Sequence, residues 1–317
     1  MSGSGSAILP HVALVGPTAA GKSELALSLA LARPQAEIVS VDSMSVYRYM
    51  DIGTAKPNPA ERAAVAHHLL DLADPHEEFT LSRFQEAARS ALEGIEARRH
   101  RALLVAGTGL YLRAVVDQLE IPGRWNQVAR ALELEADRPG GLDGLYSRLV
   151  QLDPRAAARI GPGNRRRVVR ALEVTIGSGR RFSSFGPGID CYPPTKYLLV
   201  GLRFDAELHD ARIERRFRSM LDRGFVEEVR ALAERPGGIS RTARQALGYR
   251  ELLAHLEEGV PLEDAVTQAV RRTKAYARRQ WAWFRRDPRV RWLDPTGDPL
   301  CELLELWNAP KPRSVGE

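Results

Sequence analysis

Four short runs dense in apolar and β-branched residues punctuate the chain: HVALVG at 11–16, EIVSVDS at 37–43, RALLVAGTG at 101–109 and KYLLVGLRF at 196–204. Apolar runs of this kind, without alternation, predict strands buried on both faces, as in a parallel sheet. Between them the apolar residues recur at helical spacing, in SELALSLALA and SRFQEAARSALEGIEARR. Strands alternating with helices predict an α/β fold with its ligand site at the carboxyl ends of the strands. The stretch between the third and fourth runs is too long for one crossover. It reads as helices, in QVARALELEA, LYSRLVQLDP and RRRVVRALEV, and closes in the Gly/Pro/Ser-containing GSGRRFSSFGPG. The predicted organisation is therefore an α/β core over residues 1–117 and 191–317, ending in basic helices, with a helical insertion domain at 118–190.

After the last strand the pattern is helical again. From Leu262 to Arg286, at about 100° per residue, Val266, Ala269, Val270, Thr273, Ala277, Trp281 and Phe284 share one face. Arg271, Arg272, Lys274, Arg278, Arg279, Arg285 and Arg286 take the other. From 262 to 291 there are nine basic residues against three acidic ones. A solvated charged face and a track for a phosphate backbone both fit this pattern, and the scarcity of acidic partners on the helix favours the second.

Composition changes the picture little. The chain has 317 residues, 44% hydrophobic and 27% charged, with a net charge of +6, which fits an ordinary soluble protein with a mild preference for polyanions. No apolar run approaches the roughly 18–20 residues of a spanning helix. The leading MSGSGSAILP has no basic segment ahead of an apolar one, so it reads as a flexible lead-in and the protein is expected in the cytoplasm. Cys191 and Cys301 belong to no metal or redox spacing. His67-His68 has no acid or cysteine at metal-like spacing and reads as a packing or surface pair.

Chemistry enters with GPTAAGKS directly behind the first strand. Gly16, Pro17, Thr18, Ala19, Ala20, Gly21, Lys22 and Ser23 satisfy the P-loop pattern, which makes the core P-loop NTPase-like. Such a loop wraps backbone N–H groups around phosphates at a helix N-terminus, with the lysine reaching them and the hydroxyl of Ser23 facing a Mg²⁺. By itself it suggests ATP. The second strand ends in Asp42, which could be a metal ligand, a general base or a cap. The third ends in Ala106-Gly107-Thr108, offering a hydroxyl and no carboxylate. Arginines gather in NRRRVVRALEV (Arg166, Arg167, Arg170) and ARIERRF (Arg212, Arg215, Arg216), where a cationic pocket or an RNA track would place them.

GPTAAGKS, VSVDSMSVYRYMDIGTAKP, GTGLYLRA, RRVVRALEV, RQALGYREL and KAYARRQWAWFRR, in this order over about residues 11–294, resemble the bacterial tRNA dimethylallyltransferases. The resemblance implies transfer of a dimethylallyl group from dimethylallyl diphosphate to N6 of the adenosine 3′ of the anticodon, position 37. The tRNAs would be those reading codons that begin with U, and diphosphate would be released. It implies Lys22 and Ser23 on diphosphate and Mg²⁺, Asp42 as the base for the N6 proton, and Thr108 and Arg216 on the diphosphate. For the tRNA anticodon stem-loop it implies Asp42, Ser43, Met44, Thr108, Arg130, Arg166, Arg167, Arg170, Gln245, Gly248, Tyr249, Arg250, Lys274, Arg278, Arg279 and Gln280. A monomer is expected. Two positions depart from the family pattern: Ala106 stands where Gly is usual, tolerable only if φ there is negative, and Ser23 stands where Thr is common. Alternatives on the residues alone are a small-molecule kinase, a prenyltransferase acting on free adenosine phosphates, and a non-enzymatic RNA-binding switch. Kinase activity would make ADP from ATP, whereas the preferred chemistry releases diphosphate.

Overall fold

The computed structural model describes residues 10–203, 205–294 and 297–308. The leading segment at 1–9 and Phe204, at the end of the fourth predicted run, lie outside them. Six strands form one sheet: β1 (Val12–Val15), β2 (Ala36–Val41), β3 (His67–His68), β4 (Arg101–Ala106), β5 (Leu198–Leu202) and β6 (Arg291–Leu293). Their order is β3-β2-β4-β1-β5-β6, and every recorded pairing is parallel. The four predicted runs are the four longer strands. β3 and β6 did not show in the sequence, because two- and three-residue edge strands carry no readable period.

The helices follow in chain order. The first four are α1 (Lys22–Ala32), α2 (Pro59–Ala64), α3 (Leu81–Ala97) and α4 (Gly109–Val116). Next come α5 (Asn126–Ala136), α6 (Gly141–Leu152), α7 (Pro154–Ile160) and α8 (Arg165–Ser178). The last are α9 (Ala206–Asp222), α10 (Phe225–Ala233), α11 (Tyr249–Glu258), α12 (Leu262–Phe284) and α13 (Pro299–Asn308). The chain divides into two compact units, one of residues 1–116 with 194–317 and one of residues 117–193.

In the first unit the sheet is covered on both faces, which is why its strands read as unbroken apolar runs. Ala13, Val15, Val39, Val41, Leu104 and Ala106 face one core with Phe84, Ile95, Phe225 and Tyr249. Val12, Leu14, Ile38 and Leu103 face another with Leu25, Leu29, Leu303 and Trp307. Ala106 lies in register with both Val15 and Val41, inside the ladder and without positive φ, so the missing glycine costs nothing there. The second unit has its own core of Leu132, Leu145, Leu149, Val168 and Leu172 from α5, α6 and α8.

DIGTAKP is explained by packing. Glu228 on α10 accepts hydrogen bonds from the amides of Asp51, Ile52 and Gly53 at 2.9, 2.7 and 3.2 Å and from the Tyr249 hydroxyl at 2.6 Å. A Cβ on Gly53 would stand 2.3 Å from Phe225 and 2.4 Å from Tyr249, so only glycine lets this loop lie on the aromatic pair. Lys56, its side chain 1% exposed, ties Asp51 and Asp71 at 2.8 and 2.6 Å.

At the amino end of β2, away from the strand ends that carry the chemistry, Glu37 is buried under Arg98, His68 and His100. Arg98 donates twice, at 3.0 and 2.8 Å, while His68 Nε2 and His100 Nδ1 lie at 2.6 and 2.7 Å. His68 thus has a specific packing role. Burial alone would raise the Glu37 carboxyl, but these hydrogen bonds outweigh it and hold its pKa down to about 2. A folded-state value below the ordinary one stabilises the fold at pH above the usual carboxylate range, and that contribution fades as pH falls toward 2. Glu37→Gln is therefore expected to lower stability by about 2 kcal/mol near pH 7. Denaturant titrations at pH 7 and pH 3 should show the gap between the proteins shrinking at the lower pH. A gap independent of pH would mean that the loss is one of shape alone.

Candidate active site

Strand order and register build the site. β2, β4 and β1 are neighbours, and Val41, Ala106 and Val15 lie level with one another, so the chain leaves all three strands at one height. Immediately beyond them stand Asp42, Thr108 and the P-loop. Three segments remote in sequence thereby converge on one edge of the sheet, with Thr108 between the carboxylate and the phosphate loop. This is where open parallel sheets bind ligands.

The loop turns through positive φ at Gly16 (149°) and Gly21 (87°), where glycine permits it, and at Ala19 (60°), where a Cβ makes it unfavourable. Lys22 and Ser23 then open α1, whose free N–H groups and dipole favour an anion. Lys22 is 9% exposed and donates to the Pro17 carbonyl at 2.6 Å, which folds its ammonium back over the loop. Ser23 is exposed.

Asp42 uses one oxygen for structure. Oδ1 accepts from the amides of Met44 and Ser45 at 2.7 and 3.2 Å, closing the turn that follows β2. Oδ2 takes no hydrogen bond among the described residues and faces Gly107, 4.0 Å from where a Cβ there would stand. The Thr108 hydroxyl is buried without a hydrogen-bond partner. The Tyr276 hydroxyl on α12 stands beside it and beside Asp42, close enough to be influenced by both but short of good hydrogen-bond geometry. A buried hydroxyl left in this state is expensive in a structural role and is suited to a ligand oxygen.

α9 returns from β5 and brings Arg216 to the same place. Burial lowers the Arg216 pKa and the Asp42 carboxylate opposes it. Burial, and then the Arg216 charge, push Lys22 down to about 7, again against Asp42. Asp42, Lys22 and Arg216 therefore sense one another: two cations and a carboxylate with a free oxygen near the same strand ends. His209, two turns before Arg216 on the same face of α9, is buried with Nδ1 2.8 Å from the Asp205 carbonyl, and Lys22 helps hold its pKa down after burial.

Tyr276, His209 and Glu228 were not singled out from the sequence. Only the helical spacing of Tyr276 and Gln280, four residues apart in KAYARRQ, could have shown the first. Tyr276 is partly buried, and burial raises its phenol.

The remaining predicted site residues fall into two groups. Ser43 and Met44 lie beside Asp42, partly buried. Arg130, Arg166 and Arg167 are exposed on the second unit and make no ion pair among the described residues. Gln245 and Arg250 line an open cavity of about 510 Å³ with Arg241 and Arg244. Arg279 is exposed and lies 5.8 Å from the Tyr276 ring centre.

The others are already engaged within the protein. Arg170 reaches Glu173 at 2.7 Å and the carbonyls of Pro122 and Gly123 at 2.9 Å. Gly248 and Tyr249 are interior, and a Cβ on Gly248 would stand 2.7 Å from Phe225. Gln280 is 6% exposed with its amide turned inward.

The expected scarcity of acidic partners along α12 is also corrected. Lys274 pairs with Glu214 at 2.6 Å, Arg278 with Asp210 at 2.8 Å, and Arg272 with Glu251. α9 and α11 supply the acids that α12 lacks, and the exposed cations on that helix and just after it that make no ion pair among the described residues are Arg271, Arg279, Arg285 and Arg286.

Among the described residues no helix is long and apolar enough to cross a membrane. Comparison with known proteins gives one result throughout. A profile of the IPP transferase family matches residues 45–287. A tRNA dimethylallyltransferase of Acidothermus cellulolyticus is 47% identical over 301 residues, covering 93% of each chain. One of Desulforudis audaxviator is 44% identical over 299 residues, covering 94% of this chain and 96% of that one. Among solved structures, the tRNA isopentenylpyrophosphate transferase of Bacillus halodurans superposes with a TM-score of 0.67 at 36% identity, over 94% of each chain. A eukaryotic dimethylallyltransferase acting on tRNA gives 0.76 at 27% identity, over 96% of this chain and 76% of its own. With matches that span nearly its whole length, the chain belongs to the IPP transferase family.

Proposed function

We infer that the protein transfers the dimethylallyl group of dimethylallyl diphosphate to N6 of adenosine 37 in tRNAs that read codons beginning with U, releasing diphosphate. The observation that carries this reading is the strand-end convergence. A carboxylate oxygen free of structural duty, a phosphate loop, two cations and a buried, unpartnered hydroxyl gather beyond the carboxyl ends of three neighbouring strands.

An exocyclic adenine amine is a weak nucleophile, so its proton must leave as it attacks. Asp42 Oδ2 takes that proton while Oδ1 holds the carboxylate in place. The new bond joins N6 to the allylic carbon, and the bond from that carbon to the bridging oxygen breaks. The electron pair departs on the diphosphate, where Lys22, Arg216, the Thr108 hydroxyl and the loop amides receive the charge.

A Mg²⁺ fits the donors present. Ser23 offers an exposed hydroxyl in the first turn of α1, and no group of three or more His, Cys, Asp or Glu able to hold a metal occurs among the described residues. The ion would therefore rest on Ser23 and on the diphosphate itself, adding to the neutralisation of the leaving group. For the target adenine to reach Asp42 it must leave the anticodon-loop stack. The exposed cations Arg130, Arg166, Arg167, Arg250 and Arg279 would hold the RNA backbone, with Gln245, Lys274 and Arg278 beside them. Asp42 to Met44 and Thr108 would face the extruded nucleotide. The protein would work as a monomer in the cytoplasm.

With labelled dimethylallyl diphosphate, Mg²⁺ and unmodified tRNA, label should enter RNA at adenosine 37 with release of one diphosphate per transfer. Equal transfer to free AMP, or ADP formation from ATP as the main activity, would replace this reading.

A further inference from the structure

Gln280 lies in the basic C-terminal segment that the proposed function assigns to RNA, yet its side chain does something else. Its Oε1 accepts from the Thr18 amide at 2.9 Å, and its Nε2 donates to the Gly107 carbonyl at 2.7 Å. Both ends of one buried amide are thus used, one on the P-loop and one on the backbone between β4 and Thr108. Gly107 itself leaves no room for more: a Cβ there would stand 3.0 Å from Gln280 Nε2.

The strap lies where restraint is needed. Ala19, next to Thr18, holds φ at 60°, a conformation that is unfavourable for a residue with a Cβ and persists only where its surroundings enforce it. Fixing the Thr18 amide is such an enforcement, and it leaves the amides that follow to face an anion. On the other side, fixing the Gly107 carbonyl sets the backbone from which the Thr108 hydroxyl projects beside Asp42. A carboxamide accepts at one end and donates at the other without carrying a charge, which suits it to this span.

We propose that Gln280 is a positioning residue of the diphosphate cradle, locking the P-loop to the end of β4, and that it contributes nothing by direct contact with RNA. The proposal rests on the transferase reading for the identity of the anion and goes beyond it in separating the inner face of α12 from its RNA-facing arginines.

The test uses inorganic diphosphate with Mg²⁺ as a probe, alongside steady-state kinetics. Gln280→Met keeps the length and removes both hydrogen bonds. It is expected to weaken diphosphate binding about tenfold and to raise the KM for dimethylallyl diphosphate in parallel. Affinity for an anticodon stem-loop should stay within twofold. Gln280→Glu keeps the acceptor for Thr18 but loses the donor and sets a negative charge beside the diphosphate. It should bind the probe more weakly than the Met variant, and it serves if Met proves unstable. Wild-type diphosphate affinity in a folded variant would overturn the assignment, as would a loss of RNA affinity as large as the loss for diphosphate. A wild-type protein that binds diphosphate but transfers nothing to tRNA would sink the transferase reading and leave this one standing.

Discussion

Asp42→Asn is expected to reduce transfer to tRNA by about 10³-fold or more while tRNA affinity stays within a factor of two. Asparagine is the informative change because it separates the two oxygens. Its side-chain carbonyl can still accept from the Met44 and Ser45 amides, so the turn after β2 should survive. What disappears is the basic oxygen that faces Gly107 and Thr108. Diphosphate affinity should hold or rise slightly, since a negative charge has left a pocket shared with the anion. Single-turnover transfer on preformed complexes gives the chemical step directly, and filter binding gives the RNA affinity. If transfer persists within tenfold of wild type, another group removes the N6 proton, and Asp42 is reduced to holding its turn.

The parts of this site that the sequence disclosed are those whose signal is local. GPTAAGKS needs only the strand before it and the helix after it, and Asp42 and Thr108 follow from reading where two apolar runs stop. The order of the strands, which places Thr108 between the other two, is a property of pairing and lies beyond any local pattern. The resemblance named Gln280 as an RNA contact, and its inward role was hidden for a different reason. A polar residue in a helix rich in arginine looks like one more solvated position, and its partner Thr18 is 262 residues away in the chain. The same distance effect misled the reading of the basic face, because Asp210 and Glu214, which neutralise Arg278 and Lys274, belong to α9. Charge counted along one helix measures the balance of that helix; packing against a neighbour sets the balance of the surface.

Lys22 should show both a loss and a gain on replacement by methionine. Lys22→Met removes the cation nearest the loop, and kcat/KM for dimethylallyl diphosphate should fall about 10²–10³-fold. The lysine is also the group through which pH acts. Burial, then Arg216, set its pKa at about 7, and a diphosphate seated beside it favours the charged form and moves that value back toward the ordinary lysine range. Binding therefore takes up a proton at pH above about 7, and diphosphate affinity declines as pH climbs through the interval between the two values. Calorimetric titrations at pH 8 in buffers of different ionisation heat measure that uptake. Subtracting the result for Lys22→Met removes the proton that diphosphate itself exchanges, and the difference should approach one proton. Identical uptake in the two proteins would show that Lys22 is already charged at pH 8 without the anion.

The sign for stability runs the other way. A folded-state value below that of the unfolded chain means that the buried ammonium opposes folding at neutral pH, an opposition that lessens as pH rises from about 7. Lys22→Met, which fills the same space without the charge, should therefore melt at a higher temperature than wild type at pH 7, even as it loses turnover. A protein that becomes more stable by losing a residue its reaction needs would identify the cradle as a place where the fold carries strain for the sake of binding an anion.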